Sequence, residues 1–136
     1  MKQQKILLVS AAVAIIVAGP ILTTIWVYSE VQLRALGTQA VHASPEDGMR
    51  ALIASSYSGV NKVEIVHAGS EIFDDLWFVE AHVWAARRID GKKFSGQDCD
   101  KPGCFFLRMH KGWTIVPEGK FPELIALGKW LFGFSR

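Results

Sequence analysis

Residues 6–28, ILLVSAAVAIIVAGPILTTIWVY, carry no charged side chain over 23 positions. At about 1.5 Å per residue a helix of this length reaches roughly 35 Å, more than the ~30 Å hydrocarbon layer of a membrane. Inside lipid every peptide group needs an internal partner, which restricts a lone apolar run to a helix. Gly19 and Pro20 fall near its middle, where a kink is expected. Lys2, Lys5 and the terminal amine precede the run, while Glu30 and Arg34 follow it. An excess of basic residues stays on the cytoplasmic side. The expected arrangement is therefore a single-pass protein of the cell membrane: residues 1–5 cytoplasmic, 6–28 transmembrane in contact with the bilayer, and the rest extracytoplasmic. Trp26 and Tyr28 at the outer end suit the headgroup region. A cleaved secretory signal is the competing reading, with Lys2 and Lys5 as its basic region and Val27-Tyr28-Ser29 before the cut. Signal cores run to about 7–15 residues, so the uncleaved signal-anchor is favoured, and the domain is exported under both readings. Ser10, Ala14 and Ala18 form a small-residue ridge that could pair helices, although facing lipid is its ordinary role.

From Glu30 onward 107 residues remain, enough for one small core. They hold thirteen Lys plus Arg and thirteen Asp plus Glu, so the net charge of +2 comes from Lys2 and Lys5. A neutral domain lacks the clustered cations that displace counterions from phosphates, and no nucleic-acid partner is expected. The charges are uneven, with acids in excess over residues 30–86 and bases over 87–136. That asymmetry points to attraction within the fold more than to a basic face for anionic lipid, because Asp90, Asp98, Asp100, Glu118 and Glu123 interrupt the basic half.

Residues 29–43 read as a juxtamembrane helix or linker interrupted at Gly37. The domain proper, 44–136, starts with a clear signal. Ser44 is an N-cap, Pro45 the first helical position, and Glu46 and Asp47 place negative charge beside the free amides. Met49, Leu52, Ile53 and Tyr57 then make an apolar stripe, predicting a helix over 45–57. After Asn61 the period becomes two. KVEIVHA and LWFVEAHVWAARRI read as strands, joined through GSEIFDD. CFFLRM and WTIVP flank His110-Lys111-Gly112, the signature of a tight hairpin. Residues 118–134 carry Phe121, Leu124, Ile125, Leu131 and Phe132 on a broad apolar face and read as a closing helix. The fold class is α+β: a mostly antiparallel four-stranded sheet with one face against an N-terminal and a C-terminal helix. In shape this order is similar to cystatin-like or reduced NTF2-like sheets, an analogy that no residue motif carries.

The only cysteines, Cys99 and Cys104, flank Asp-Lys-Pro-Gly. Outside the cytosol a pair so close in a loop is expected to oxidise to a disulfide, worth about 2 kcal/mol for so small a ring. The alternatives are two zinc ligands completed by His110 or His82, and a redox pair. The first lacks a second well-spaced pair and the second lacks the two-residue spacing of thioredoxin-type sites, so no metal and no cofactor are expected.

Glu80 and His82 lie two apart on one strand and project from the same face, between Phe78 and Trp84. Carboxylate and imidazole among aromatics suit proton transfer or a small-ligand pocket. The plainer reading is a half-solvated face with Glu80 paired to Arg88 or to a Lys on a neighbouring strand and the tryptophans in the core, and no nucleophile motif such as G-x-S-x-G accompanies the pair. Finally, KWLFGFSR sets Trp130, Phe132 and Phe134 beside Lys129 and Arg136, which suits either core packing or the lipid interface near the anchor. The sequence thus points to a membrane-anchored binding or accessory domain, its partner an envelope protein or peptide, with catalysis at Glu80 and His82 as the alternative.

Overall fold

The computed structural model describes the backbone of residues 2–133 and side chains from residue 9 onward; Phe134, Arg136 and the side chains of Lys2 and Lys5 lie outside the described residues. Helix α1 spans Lys2–Leu36 without a break. It runs through Pro20, and Thr23 and Thr24 donate hydroxyl hydrogen bonds of 2.8 Å to the carbonyls of Gly19 and Pro20. Its portion Val9–Leu36 is long and apolar enough to cross a membrane. Val13, Ile15, Ile16, Val17 and Ile21 are all exposed, whereas Ser29, Leu33 and Leu36 near the other end are buried. The same helix therefore carries a bare apolar rod and a core element, and Gly37 marks its end.

Helix α2 covers Pro45–Ser56, with the Ser44 side chain accepting from the Asp47 amide at 3.1 Å as the capping pattern predicts. Four strands follow: β1 Tyr57–Ser70, β2 Leu76–Arg88, β3 Gly103–Met109 and β4 Gly112–Val116. They form an antiparallel meander in the order β1-β2-β3-β4. Helix α3, Pro122–Phe132, closes the domain. It starts later than the sequence suggests because residues 117–120 form a turn, with the Lys120 amide donating to the Pro117 carbonyl and Gly119 at φ 86°.

Helices lie on both faces of the sheet, where the sequence predicted one covered face. Val79, Ala81, Val83, Phe106 and Trp113 pack with Met49 and Ile53 of α2. Leu76, Leu107, Met109 and Val116 pack on the opposite side with Leu33 and Leu36 of α1 and Ile125 and Ala126 of α3. Alternation puts successive side chains on opposite faces, so each strand feeds two cores. Among the described residues the buried part of this second core takes only Leu76 from β2, and Phe78, Glu80, His82 and Trp84 on the same face are half-buried.

The expected disulfide is not formed: Cys99 and Cys104 are free thiols. The supposed loop is an extension of β3. Asp100 bridges Val83 through reciprocal backbone hydrogen bonds of 2.9 and 3.0 Å, and the Ala81 amide donates to the Pro102 carbonyl at 3.0 Å. This is the register that pairs Gly103 with Glu80 and Cys104 with Val79. Four extended steps from Asp100 to Cys104 span about 13 Å, whereas a disulfide requires Cα atoms about 4.4–6.8 Å apart. Closing the ring would tear the ladder. Burial first, and Glu118 second, push the Cys104 thiol up to about 11, which suppresses its thiolate and its reactivity near neutral pH. Ellman titration without reductant is expected to find two thiols in denaturant and slow reaction of Cys104 in the folded protein; zero thiols in denaturant would contradict this arrangement.

Candidate functional site

The four residues singled out on β2 do share one face, each half-buried. Across the hairpin Phe78 opposes Gly69, Glu80 opposes His67, His82 opposes Glu64 and Trp84 opposes Lys62, after two bulges that shift the register of β1. From β3, Phe105 and Gly103 oppose Phe78 and Glu80. The rings form two groups: Phe78 lies 4.9 Å from Phe105 and 6.3 Å from His67 between centroids, and His82 lies 6.0 Å from Trp84. Lys62 sits over the Trp84 ring, 4.8 Å from its centroid, a cation–π contact. Gly103 leaves room for this ring, since a Cβ there would meet the tip of Phe78 at 2.7 Å and the ring would have to shift.

Glu80 and His82 are thus neighbours on a strip, but among the described residues no hydrogen bond joins them. The pairing of Glu80 with Arg88 does not form; Arg88 instead reaches Asp90 at 2.8 Å and Asp100 at 3.4 Å. No group of three or more His, Cys, Asp or Glu side chains converges among the described residues, so the cysteines gain no further ligands from His82 or His110.

The concave feature lies around the sheet edge. A cleft of about 620 Å³ is lined by Leu52, Tyr57, Asp100, Gly103, Phe105 and Glu118, with Phe78 at one side and Glu80, His82 and Trp84 outside it. Its size falls within the about 300–1,000 Å³ of ordinary ligand sites. Three elements build it. The last turn of α2 supplies Leu52 and Ser56, the turn at 117–120 forms the opposite wall, and residues 100–105 run between them. β4 ends at Val116 opposite Phe105, so Lys101 and Gly103 have β2 on one side and no strand on the other. In an antiparallel ladder successive residues turn their peptide groups to opposite sides. Asp100 and Pro102 bond to β2, which directs the Gly103 amide and carbonyl and the Lys101 carbonyl into the cleft.

The inner end of the cleft is a polar knot that sequence reasoning missed. Asp100 is 2 % exposed and Tyr57 7 %. The Tyr57 hydroxyl donates to Asp100 Oδ2 in a short bond. Asp100 Oδ1 accepts from the Ser95 amide at 2.8 Å, the Ser95 hydroxyl at 2.7 Å and the Lys101 amide at 3.1 Å. Burial alone would push the Asp100 carboxyl up, but the bonds from Tyr57, Ser95 and Lys101 outweigh it and hold the group below the ordinary carboxylate range. Burial, and then the hydrogen bond to Asp100, raise Tyr57 above the usual phenol value. The knot is built to hold an ionised carboxylate and a neutral phenol. With its acceptors saturated, Asp100 is a brace for the strand edge and is poorly placed to move protons. The nearest sequence signal was Asp100 in QDCDKPGC, read as a turn residue, and its partner Tyr57 lies 43 positions away.

Comparison with protein-family models, with curated proteins and with solved structures finds no match for this chain.

Proposed function

We propose that this chain is a single-pass membrane-anchored protein whose small extracytoplasmic domain binds an envelope protein or peptide, with the free edge of β3 as the place where an extended segment of the partner lies. The observation that carries the reading is the continuity of α1. One unbroken helix presents an apolar surface over its first part and enters the domain core through Leu33 and Leu36. A helix made only for the core would have its apolar side chains covered; here Val9 to Ile21 stay bare. The basic N-terminal flank favours a cytoplasmic start and an outside domain. At the β3 edge, the Lys101 carbonyl and the Gly103 amide and carbonyl, which face away from β2, suit main-chain pairing with an added strand, and the cleft offers Leu52 and Phe105 to its side chains.

The test is in intact cells. A C-terminal tag is expected to be removed by externally added protease, and a shielded tag would overturn the topology. A photo-crosslinking residue at Lys120, on the cleft wall, is expected to give a discrete protein or peptide adduct that the same residue at exposed Val66 does not. Equal labelling at both positions, or none at Lys120, would remove the cleft as the binding site.

A further inference from the structure

We infer that α3 is an interfacial membrane helix: together with the tip of the β1–β2 hairpin it rests its outward face in the lipid headgroup boundary beside α1, so that the domain is seated on the bilayer surface. The inference rests on the anchored reading of α1 and adds the orientation of the domain.

The contacts between α1 and α3 give the level. Gly128 of α3 lies against Ser29 and the Ile25 carbonyl of α1. Ser29 donates to the Leu124 carbonyl at 3.2 Å, and the Phe121 amide donates to the Tyr28 hydroxyl at 3.0 Å. These α1 positions are the end of the uncharged run, where a helix leaves the hydrocarbon. A rise of about 1.5 Å per residue puts Ile25 and Ser29 only about 6 Å apart along the axis. α3 therefore crosses α1 at the depth of the interface.

The same contacts give the facing. Ile125 packs with Leu33 and Leu36, which lie farther along α1 and away from the apolar run. At about 100° per residue, Leu127 and Trp130 sit roughly opposite Ile125, so they point back along α1 toward the lipid. In a helix whose far side met only water this face would be polar. Instead Trp130 is 70 % exposed, Phe121 64 % and Ile72 at the hairpin tip 80 %. Ile72, Phe73, Phe121, Leu124 and Leu127 line one open hollow in which Glu123 is the only charged residue, and Phe73 and Trp130 rings lie 6.4 Å apart. Trp26 and Val27 of α1, beside the Tyr28 and Ser29 that hold α3, are exposed as well. Lipid, already covering α1, is the occupant that requires no second molecule. Lys129, about 40° from Ile125 around the helix, faces the domain and bonds Asp75 at 3.0 Å and the Arg108 carbonyl, so the outward face of α3 carries Glu123 of the first turn as its charge.

The experiment uses the full chain reconstituted in vesicles of phosphatidylcholine and phosphatidylglycerol. Nitroxide labels are placed singly at Ile15, Trp130 and Val66 after Cys99→Ser and Cys104→Ser. The label at Trp130 is expected to show several-fold less access to a water-soluble nickel complex than that at Val66, at a depth shallower than Ile15. Because the serine background could disturb the fold, the unlabelled chain and its Trp130→Phe variant are also compared in dibrominated phosphatidylcholine, where the variant is expected to lose a large share of the lipid-quenched tryptophan emission. A water-exposed Trp130 with a lipid-buried Ile15 overturns the inference and leaves the anchor standing. Water exposure at both positions overturns the anchor as well. Protection at Trp130 accompanied by spin–spin broadening assigns the face to a second copy of the chain and also overturns the inference.

Discussion

Asp100→Ala is expected to be the most damaging single substitution in the domain, costing on the order of 3–5 kcal/mol because it strips the partner from buried groups. The Tyr57 hydroxyl would lose its acceptor in a site where it is 7 % exposed. The Ser95 hydroxyl and amide would lose theirs, the Lys101 amide would keep only the Ser95 hydroxyl oxygen at 2.9 Å, and Arg88 would keep only Asp90. Small domains hold a margin of only about 5–15 kcal/mol, so the loss would consume a large part of it and lower Tm by ~15 °C or more. Asp100→Asn keeps the shape and one acceptor oxygen, and is expected to cost less, about 1–3 kcal/mol. Thermal unfolding followed by circular dichroism in lipid nanodiscs gives both numbers. An alanine variant within about 1 kcal/mol of the parent would show that the knot does not brace the edge.

The same knot sets a pH window. Asp100 is held below its ordinary range in the folded state. Its contribution is present above the unfolded value near 4 and is lost as pH falls through the lower folded value. Tyr57 is raised in the folded state, so its contribution is complete below about 10 and is lost as pH rises beyond that. The parent should therefore show a stability plateau bounded on both sides; Asp100→Asn should flatten the acid limb and also weaken the part of the alkaline limb that Tyr57 owes to Asp100. An acid limb as steep in the variant as in the parent would assign it to other carboxylates.

Local signals in the sequence carried most of the elements. The cap at Ser44 and Pro45, the alternation of β2 and the long uncharged run each depend on neighbours within a few positions, and each led to the right element. Failure began where the deciding contact was remote. Residues 99–104 read as a loop because Asp-Lys-Pro-Gly has turn chemistry, yet β2 runs long enough to capture Asp100 and Pro102 into its ladder. Pro102 is tolerated because its missing N–H leaves only one bond unmade beside Ala81. The two-sided sheet was likewise hidden, since nothing local shows that Leu33 and Leu36 at the end of α1 return to the domain. At the candidate strip, period two correctly grouped Phe78, Glu80, His82 and Trp84. It could not show that Gly103, the β3 residue opposite Glu80, supplies no wall, nor that the concavity forms one strand farther on.

Gly128→Ala is expected to destabilise the protein although the change favours helix, and the sign is the informative part. In an exposed helix interior, glycine to alanine gains about 1 kcal/mol. Here an added Cβ would lie 2.3 Å from Ser29 Cβ, nearer still to its hydroxyl oxygen, and 3.5 Å from the Ile25 carbonyl. Ser29 is fully buried and its Cβ is fixed to the α1 backbone, so no rotamer change relieves the contact. The helices must separate, which forfeits the Ser29 bond to Leu124 and loosens Ile125 against Leu33. Overpacking of this kind costs about 1–3 kcal/mol, outweighing the propensity gain. Ser29→Ala retains the offending Cβ and should not rescue the variant, whereas Ser29→Gly should, at a helix cost of its own of about 1 kcal/mol or less. A double-mutant cycle over Gly128→Ala and Ser29→Gly is expected to show coupling of about 1 kcal/mol or more in the rescuing direction. A stabilised Gly128→Ala, or additive variants, would mean that α1 and α3 do not cross closely. Leu33 and Leu36 would still join α1 to the domain core, but α3 would no longer be tied to the end of the apolar run, because the crossing at Ser29 and Gly128 is what sets it there.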